Sequence, residues 1–222
     1  MAYTDFLTGI HNRAYMDQTI AKLNGSGEWI GVVVADIDNF KTINDTYNHA
    51  VGDEVIRHFA STLKQFLKEG DFLFRSGGEE FTMFLRNRTF EESVRLVEEI
   101  REAVRRSTVL VDYMAAKRPI AYTSSFGLYF CQAEGTMSIE KAYIYADHLL
   151  LRSKESGKNK VSDAGELRDG AAPFCFLRTV RPKAKTAQPP YINEKMGLSS
   201  AALPRQTSSS FSVMDDRRGI VQ

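Results

Sequence analysis

"DFLFRSGGEEFTMFLR", Asp71 to Arg86, sets two apolar runs on either side of Gly77 and Gly78, with Glu79 and Glu80 directly after the glycines. The runs "DFLFR" and "EFTMFLR" read as the arms of a β-hairpin, and paired glycines suit its tip because primed turns need positive φ at the central residues. A doubled negative charge at such a tip calls for a partner.

The partner lies upstream. "WIGVVVADIDNF", Trp29 to Phe40, begins as a β-branched run, the mark of a central strand buried on both faces, and ends in carboxylates. Asp36 and Asp38 are two residues apart, so both side chains leave the same face at the C-terminal end of that strand. Hairpins adjoining such a strand bring Glu79 and Glu80 toward it. Carboxylates that converge on an apolar sheet repel one another and rise in pKa unless a cation compensates. A hard divalent cation with oxygen ligands answers the problem, and Mg²⁺ is the one that keeps waters and substrate phosphates in its shell. The plainer alternative is an acidic, solvated hairpin tip beside a polar strand end.

Around these segments strands alternate with helices. From Asp53 to Lys68, Val55, Ile56, Phe59, Leu63, Phe66 and Leu67 recur at helical spacing, with Gly70 as the expected stop. A second amphipathic helix opens at Thr89, with Glu92 completing a capping box, and carries Val94, Val97, Ile100 and Val104 on one face. "IAYTSSFGLYF", Ile120 to Phe130, reads as another strand, and a last helix runs from about Ser138 to Glu155 with Gly157 beyond it. This order predicts an α+β, ferredoxin-like fold: a central antiparallel sheet flanked by helices, which we place on one face.

Bulk properties narrow the function. The 222 residues carry 29 basic and 28 acidic side chains, a net charge of +1, so no global field argues for nucleic acid or an anionic membrane. Two cysteines, Cys131 and Cys175, are too few for a disulfide framework and point to a reducing compartment. With no basic-then-apolar leader and no apolar run long enough to span a bilayer, the expectation is a cytoplasmic protein without membrane insertion of this chain. Near residue 165 the composition changes: Pro173, Pro182, Pro189, Pro190 and Pro204 and the serines of "SSSFS" predict a disordered tail over 165–222, following an ordered domain over 1–164. "FCFL", Phe174 to Leu177, is the part of that tail suited to adding a strand or docking a partner. No internal repeat is visible.

Four motifs in order make the sequence resemble the GGDEF family of diguanylate cyclases, from Asp5 to about Val161. "DFLTGIHNR" (Asp5 to Arg13) is similar to the family's opening segment, "DIDNFKTINDTYNHAVGDE" (Asp36 to Glu54) to its metal and nucleotide segment, "GGEEF" (Gly77 to Phe81) to its name motif, and "ADHLLLRSKESGKN" (Ala146 to Asn159) to its closing helix and phosphate turn. The resemblance implies that Asp36, the Ile37 carbonyl and Glu79 hold two Mg²⁺ ions, with Mn²⁺ as a substitute. Glu80 sits beside them, and Asp38 is a candidate for orienting neighbours instead. Asn44 and Asp53 would read guanine, because a carboxylate accepts from N1–H and the exocyclic amine while adenine offers no matching pair of donors. Lys41, Lys154 and Lys158 would contact phosphates, and Phe40 and His49 belong to the same GTP-binding set. The implied reaction joins two GTP into cyclic di-GMP with release of two pyrophosphates, one GTP on each member of a homodimer, so a monomer would be nearly inert. It rests on orientation and electrostatics, without a covalent enzyme intermediate.

Some positions depart from the family pattern. Lys68 stands where the product-inhibition pair with Asp71 has arginine, and lysine loses the bidentate fork, so feedback is in question. Asn48 replaces a common glycine before His49, a position where asparagine's tolerance of left-handed backbone keeps the loop intact. Lys158 replaces a frequent arginine, and Leu151 a common tyrosine. Because the first motif starts four residues into the sequence, control is expected from an upstream or separate regulatory domain. Two other readings stand beside the cyclase: a GTP-binding module that senses or docks without turnover, and a related cyclase with a mixed-base product.

Overall fold

The computed structural model describes residues 2–165; the disorder expectation for the tail, and the docking segment Phe174 to Leu177, lie outside the described residues. The chain runs β1 (His11–Asn12), α1 (Arg13–Leu23), β2 (Trp29–Ile37), α2 (Phe40–Thr46), α3 (His49–Phe66), β3 (Phe72–Arg75), β4 (Glu80–Arg86), α4 (Phe90–Arg106), β5 (Val109–Tyr113), β6 (Ala116–Ile120), β7 (Ser124–Gln132), α5 (Ile139–Glu155) and β8 (Val161–Gly165). The six-stranded sheet has the order β1-β3-β4-β2-β7-β8, and β5-β6 form a separate ribbon. Its middle strands β3, β4, β2 and β7 keep the spatial order of a ferredoxin-like sheet. Antiparallel pairing holds β2 between β4 and β7, while β8 joins β7 and β1 joins β3 in parallel. The expected α+β class and the central strand are both present.

Helices cover both faces of the sheet, not one. Alternation along β2 shows why: Val33, Ala35 and Ile37 enter a core with Val55, Phe59 and Leu63 of α3 and Val97, Ile100 and Val104 of α4. Ile30, Val32 and Val34 point the other way, into a core with Met16 and Ile20 of α1 and Ala142, Ala146 and Leu150 of α5. Asp36 follows the parity of Val34 and so faces α5.

That second layer depends on close approach at Gly127 in β7. A Cβ built there would lie 2.0 Å from the Ala146 carbonyl oxygen and 2.3 Å from the Leu150 nitrogen. Both are backbone atoms of a packed helix and cannot yield as a side chain would. Gly127→Ala is therefore expected to lower stability by about 3 kcal/mol, read from urea denaturation, with a comparable Ala substitution at the exposed, unobstructed Gly78 as the reference.

Several local expectations change. The helix expected over 53–68 begins at His49, because the Asn48 side chain caps it by accepting from the Val51 N–H at 2.9 Å. Asn48 has φ 178°, extended backbone, so the left-handed tolerance of asparagine plays no part there. The helix ends at Phe66, and Gly70, with φ 91°, serves the turn before β3 instead. Ile120 closes β6, so the strand expected from Ile120 begins at Ser124. The capping box is present: Thr89 Oγ1 accepts from the Glu92 N–H, and the Glu92 carboxylate accepts from the Thr89 N–H.

Candidate functional site

Antiparallel register brings the acidic segments together. Asp36 of β2 is the cross-strand partner of Glu80 of β4 on one side and of Ser125 of β7 on the other. Glu79 is the last residue of the turn before β4, so its charge and that of Glu80 both act on Asp36. Asp36 is only 5 % exposed. Burial is the leading influence on its carboxyl, pushing it up to about 6; the Lys154 ammonium, 2.7 Å from Oδ1, opposes the rise, and Glu79 and Glu80 add to it. The three carboxylates are thus met at the end of β2 by a single lysine, on Asp36.

This shift carries a stability cost of known sign. The folded-state pKa lies above the ordinary 3.8, so between these values the folded protein holds the extra proton and folding gains as pH falls through about 6. Asp36→Asn should therefore raise stability at pH 8 by up to roughly 3 kcal/mol, the cost of that shift, with a smaller gain at pH 5. Urea denaturation at the two pH values measures this.

The turn itself differs from the expected primed hairpin. Neither Gly77 nor Gly78 has positive φ. The Ser76 and Gly77 N–H groups both donate to the Glu80 carbonyl, at 3.0 and 3.2 Å. Glu80 bends over Gly77: a Cβ there would sit 2.6 Å from Glu80 Oε2, the mobile end of that side chain, whereas one at Gly78 meets nothing within 4 Å and faces open space. The Gly78 carbonyl accepts from Arg75 Nε and Nη2 at 3.1 and 2.7 Å, and Arg75 Nη1 pairs with Asp5, both oxygens at 3.2 Å. Asp5 and Arg75 thus brace the acidic turn, roles that sequence reasoning missed although Asp5 opens a recognised motif and Arg75 ends the first arm of the hairpin.

Asp38 is not available to a cation. It is 3 % exposed, and its oxygens accept from Thr123 Oγ1 and Ser125 Oγ at 2.7 Å each and from the Asn159 N–H at 2.9 Å. These bonds fasten β2 to β7 and to the turn after α5. In that turn Gly157, Lys158 and Asn159 all have positive φ, and the Lys158 ammonium donates to Asn39 Oδ1.

A second cluster forms where α2 meets α3. Asn44 Oδ1 is buried without a hydrogen-bond partner, and it lies against Gly52, where a Cβ would approach it to 2.1 Å and the Phe40 ring to 3.1 Å. Asp53 follows Gly52 on α3. Lys41 and His49 are exposed on the same two helices.

Lys68 and Asp71 lie apart from these groups, at the base of the hairpin. Asp71 accepts from Arg88 Nη1 and Nη2 at 2.5 and 2.7 Å and from the Lys68 and Arg86 N–H groups at 3.0 and 2.9 Å, while the Lys68 ammonium donates to the Asn87 carbonyl. Both residues also line a cavity of about 400 Å³ with His11 and Lys64, which includes none of the carboxylates around Asp36.

Do these residues fit a divalent cation? Among the described residues no group of three or more His, Cys, Asp or Glu side chains is gathered for a metal. Mg²⁺ does not require one, because one or two carboxylates with waters and substrate phosphates complete its shell. Asp36 and Glu79 are carboxylates of the kind such a shell uses, close enough for the charge of Glu79 to act on Asp36, and the Lys154 ammonium stands against Asp36 as a counter-charge. The fit is sound.

The sequence matches the family model for "Diguanylate cyclase, GGDEF domain" over residues 2–160. Among solved structures, the GGDEF domain of DgcB from Caulobacter crescentus, in complex with c-di-GMP, is similar at TM-score 0.67 and 32 % identity, covering 73 % of this chain and 96 % of that one. Diguanylate cyclase SiaD from Pseudomonas aeruginosa, in complex with its activator SiaC, is similar at TM-score 0.67 and 29 % identity, covering 73 % of this chain and 62 % of that one. Uncharacterised membrane proteins of Staphylococcus aureus and Staphylococcus epidermidis are 32 % identical over 161 residues, 71 % of this chain. The chain spans 44 % of the length of those curated relatives. Their description as membrane proteins overturns the expected cytoplasmic location, which rested on the absence of a leader and of long apolar runs in this sequence alone. Among the described residues no helix is long and apolar enough to cross a membrane.

Proposed function

Because the chain belongs to the GGDEF family of diguanylate cyclase domains, we propose that it condenses two GTP into cyclic di-GMP and two pyrophosphates, with residues 1–164 as the catalytic unit. The observation that carries this reading is the buried Asp36, paired in register with Glu80, raised in pKa and neutralised by a single lysine at the turn-bearing end of the sheet.

Asp36, the Ile37 carbonyl and Glu79 would hold two Mg²⁺ ions, which when bound supply neutralisation of the leaving pyrophosphate and activation of the attacking hydroxyl. Lys41, Lys154 and Lys158 place positive charge around the triphosphate. Gly78, open on its outer side, lets the phosphates approach the backbone. The Glu80 carbonyl, accepting from the Ser76 and Gly77 N–H groups, holds the turn that carries Glu79. At the other cluster, Asn44 Oδ1 is a buried acceptor awaiting a donor, and the guanine edge supplies donors to it and to Asp53. Phe40 walls this corner and His49 stands at its rim. The domain's chemistry needs a second copy: two GTP-loaded domains face each other, and each 3′-hydroxyl attacks the other nucleotide's α-phosphate.

The test is incubation of concentrated protein with Mg²⁺ and each nucleoside triphosphate, with products resolved by mass. Cyclic di-GMP from GTP alone is expected. Unchanged GTP contradicts turnover and leaves a binding module, and a guanine–adenine dinucleotide would move the protein to the mixed-base reading.

Feedback should also be weak. Asp71 is held by Arg88 and by two backbone N–H groups and so is not free to grip a guanine dinucleotide, while Lys68, exposed and resting on the Asn87 carbonyl, offers only a single ammonium. Adding cyclic di-GMP at tens of micromolar is expected to leave the initial rate within about twofold of the uninhibited value, as a lysine without its fork implies. Tight inhibition would show that this pair opens in solution.

A further inference from the structure

Asp36 at the end of β2 and Asp38 just after it are engaged in different ways, by the last turn of α5 and by the turn that follows it. Asp38 is fixed by two hydroxyls and a backbone N–H, all neutral and all on short tethers. Asp36 is met by the ammonium of Lys154, carried on a flexible four-carbon stem in the last turn of α5, with a side chain 32 % exposed against 6 % for Asp36. The first arrangement is permanent; the second can be exchanged, because a lysine at the rim can swing its ammonium into water at little cost in packing. At the mouth of a triphosphate site it would find a new anionic partner.

Resting on the reading of this corner as a divalent-metal site, we infer that Lys154 is an internal stand-in for the metal: it neutralises Asp36 in the empty domain and transfers to the triphosphate when metal and nucleotide arrive together. An ammonium on Asp36 and a dication on Asp36 repel each other, so they compete for the same oxygens. The consequence is a coupling between ligands. Metal alone binds poorly because it must displace Lys154 with nothing to receive it, and nucleotide provides the receiver. By reciprocity, metal then strengthens nucleotide binding to the same degree. Asp36 is buried and pairs in register with Glu80, so its carboxylate gains from a cation held against it, and Lys154 is the one that the structure places there.

The experiment is a Mn²⁺ titration of the full chain followed by electron paramagnetic resonance, first without nucleotide and then with a non-hydrolysable GTP analogue, so that no turnover is needed. Lys154→Gln is expected to tighten nucleotide-free Mn²⁺ binding at least about tenfold, as removal of an adjacent unit charge implies, while weakening the analogue. The increase in Mn²⁺ affinity caused by the analogue should shrink in the same variant. Lys154→Arg, which keeps the charge, is expected to behave as the wild type in the nucleotide-free titration, and Asp36→Asn to lose the site. If Mn²⁺ binding depends on Asp36 yet is unchanged or weaker in Lys154→Gln, the stand-in role is overturned while the metal site survives. If no Asp36-dependent Mn²⁺ binds even with the analogue present, the metal reading falls and this inference with it. A direct structural lysine would instead show as lost folding stability in Lys154→Gln with unaltered metal affinity.

Discussion

Glu79→Gln is expected to abolish turnover, lowering kcat by about a thousandfold, the scale on which a preorganised charge at a reacting phosphate acts. The side chain it replaces is half-buried at the end of the turn, next in sequence to the residue that pairs in register with Asp36. Glutamine keeps the volume and removes the charge, so stability should stay within about 0.5 kcal/mol of the wild type. GTP should still bind through Asn44, Asp53 and the lysines, with KM moved less than kcat. A variant with wild-type rate would place the metal-binding charge elsewhere.

The other large effect concerns folding. Asp71 has no exposed side-chain surface and Arg88 is 10 % exposed, and their bidentate pair closes the base of the β3-β4 hairpin. Two backbone N–H groups, from Lys68 before β3 and Arg86 at the end of β4, also donate to Asp71. Removing the carboxylate strands the guanidinium and both amides. Asp71→Ala should cost about 3–5 kcal/mol, as for other buried pairs broken from one side, and lower the melting temperature by roughly 10 °C in a domain of this size. Arg88→Ala should approach the same loss, and the double substitution should cost less than the sum of the two. Calorimetry on the three variants measures the coupling. Additive losses would mean that the two side chains act independently.

Much of this was legible in the sequence because the decisive signals are periodic or local. The β-branched run of β2 and the two arms of the hairpin specify strands, and parity along β2 puts Asp36 on the face shared with Glu80. The Thr89 capping box is a four-residue signal and is present as read. What escaped detection depends on tertiary contact. Helix α1, "RAYMDQTIAKL", has too few apolar residues to declare a face, yet Met16 and Ile20 close the second layer of the core. The β5-β6 ribbon turns at Met114 and Ala115, both with positive φ, where neither glycine nor asparagine marks a turn. Gly77 and Gly78 lack the positive φ that the glycine pair suggested, and the Glu80 side chain bends over Gly77. Asp71 meets Arg88 across 17 residues, a pairing that spacing alone does not reveal.

On the proposed reading, Asp36 and Glu79 share divalent ions with a nucleotide triphosphate at the end of β2. Anomalous diffraction from crystals grown with Mn²⁺ and a non-hydrolysable GTP analogue tests it directly. The account predicts metal peaks bridging the Asp36 and Glu79 carboxylates to the phosphates, with Lys154 withdrawn from Asp36; peaks confined to other surfaces, or a nucleotide bound with Lys154 still on Asp36 and no metal between the carboxylates, would contradict it.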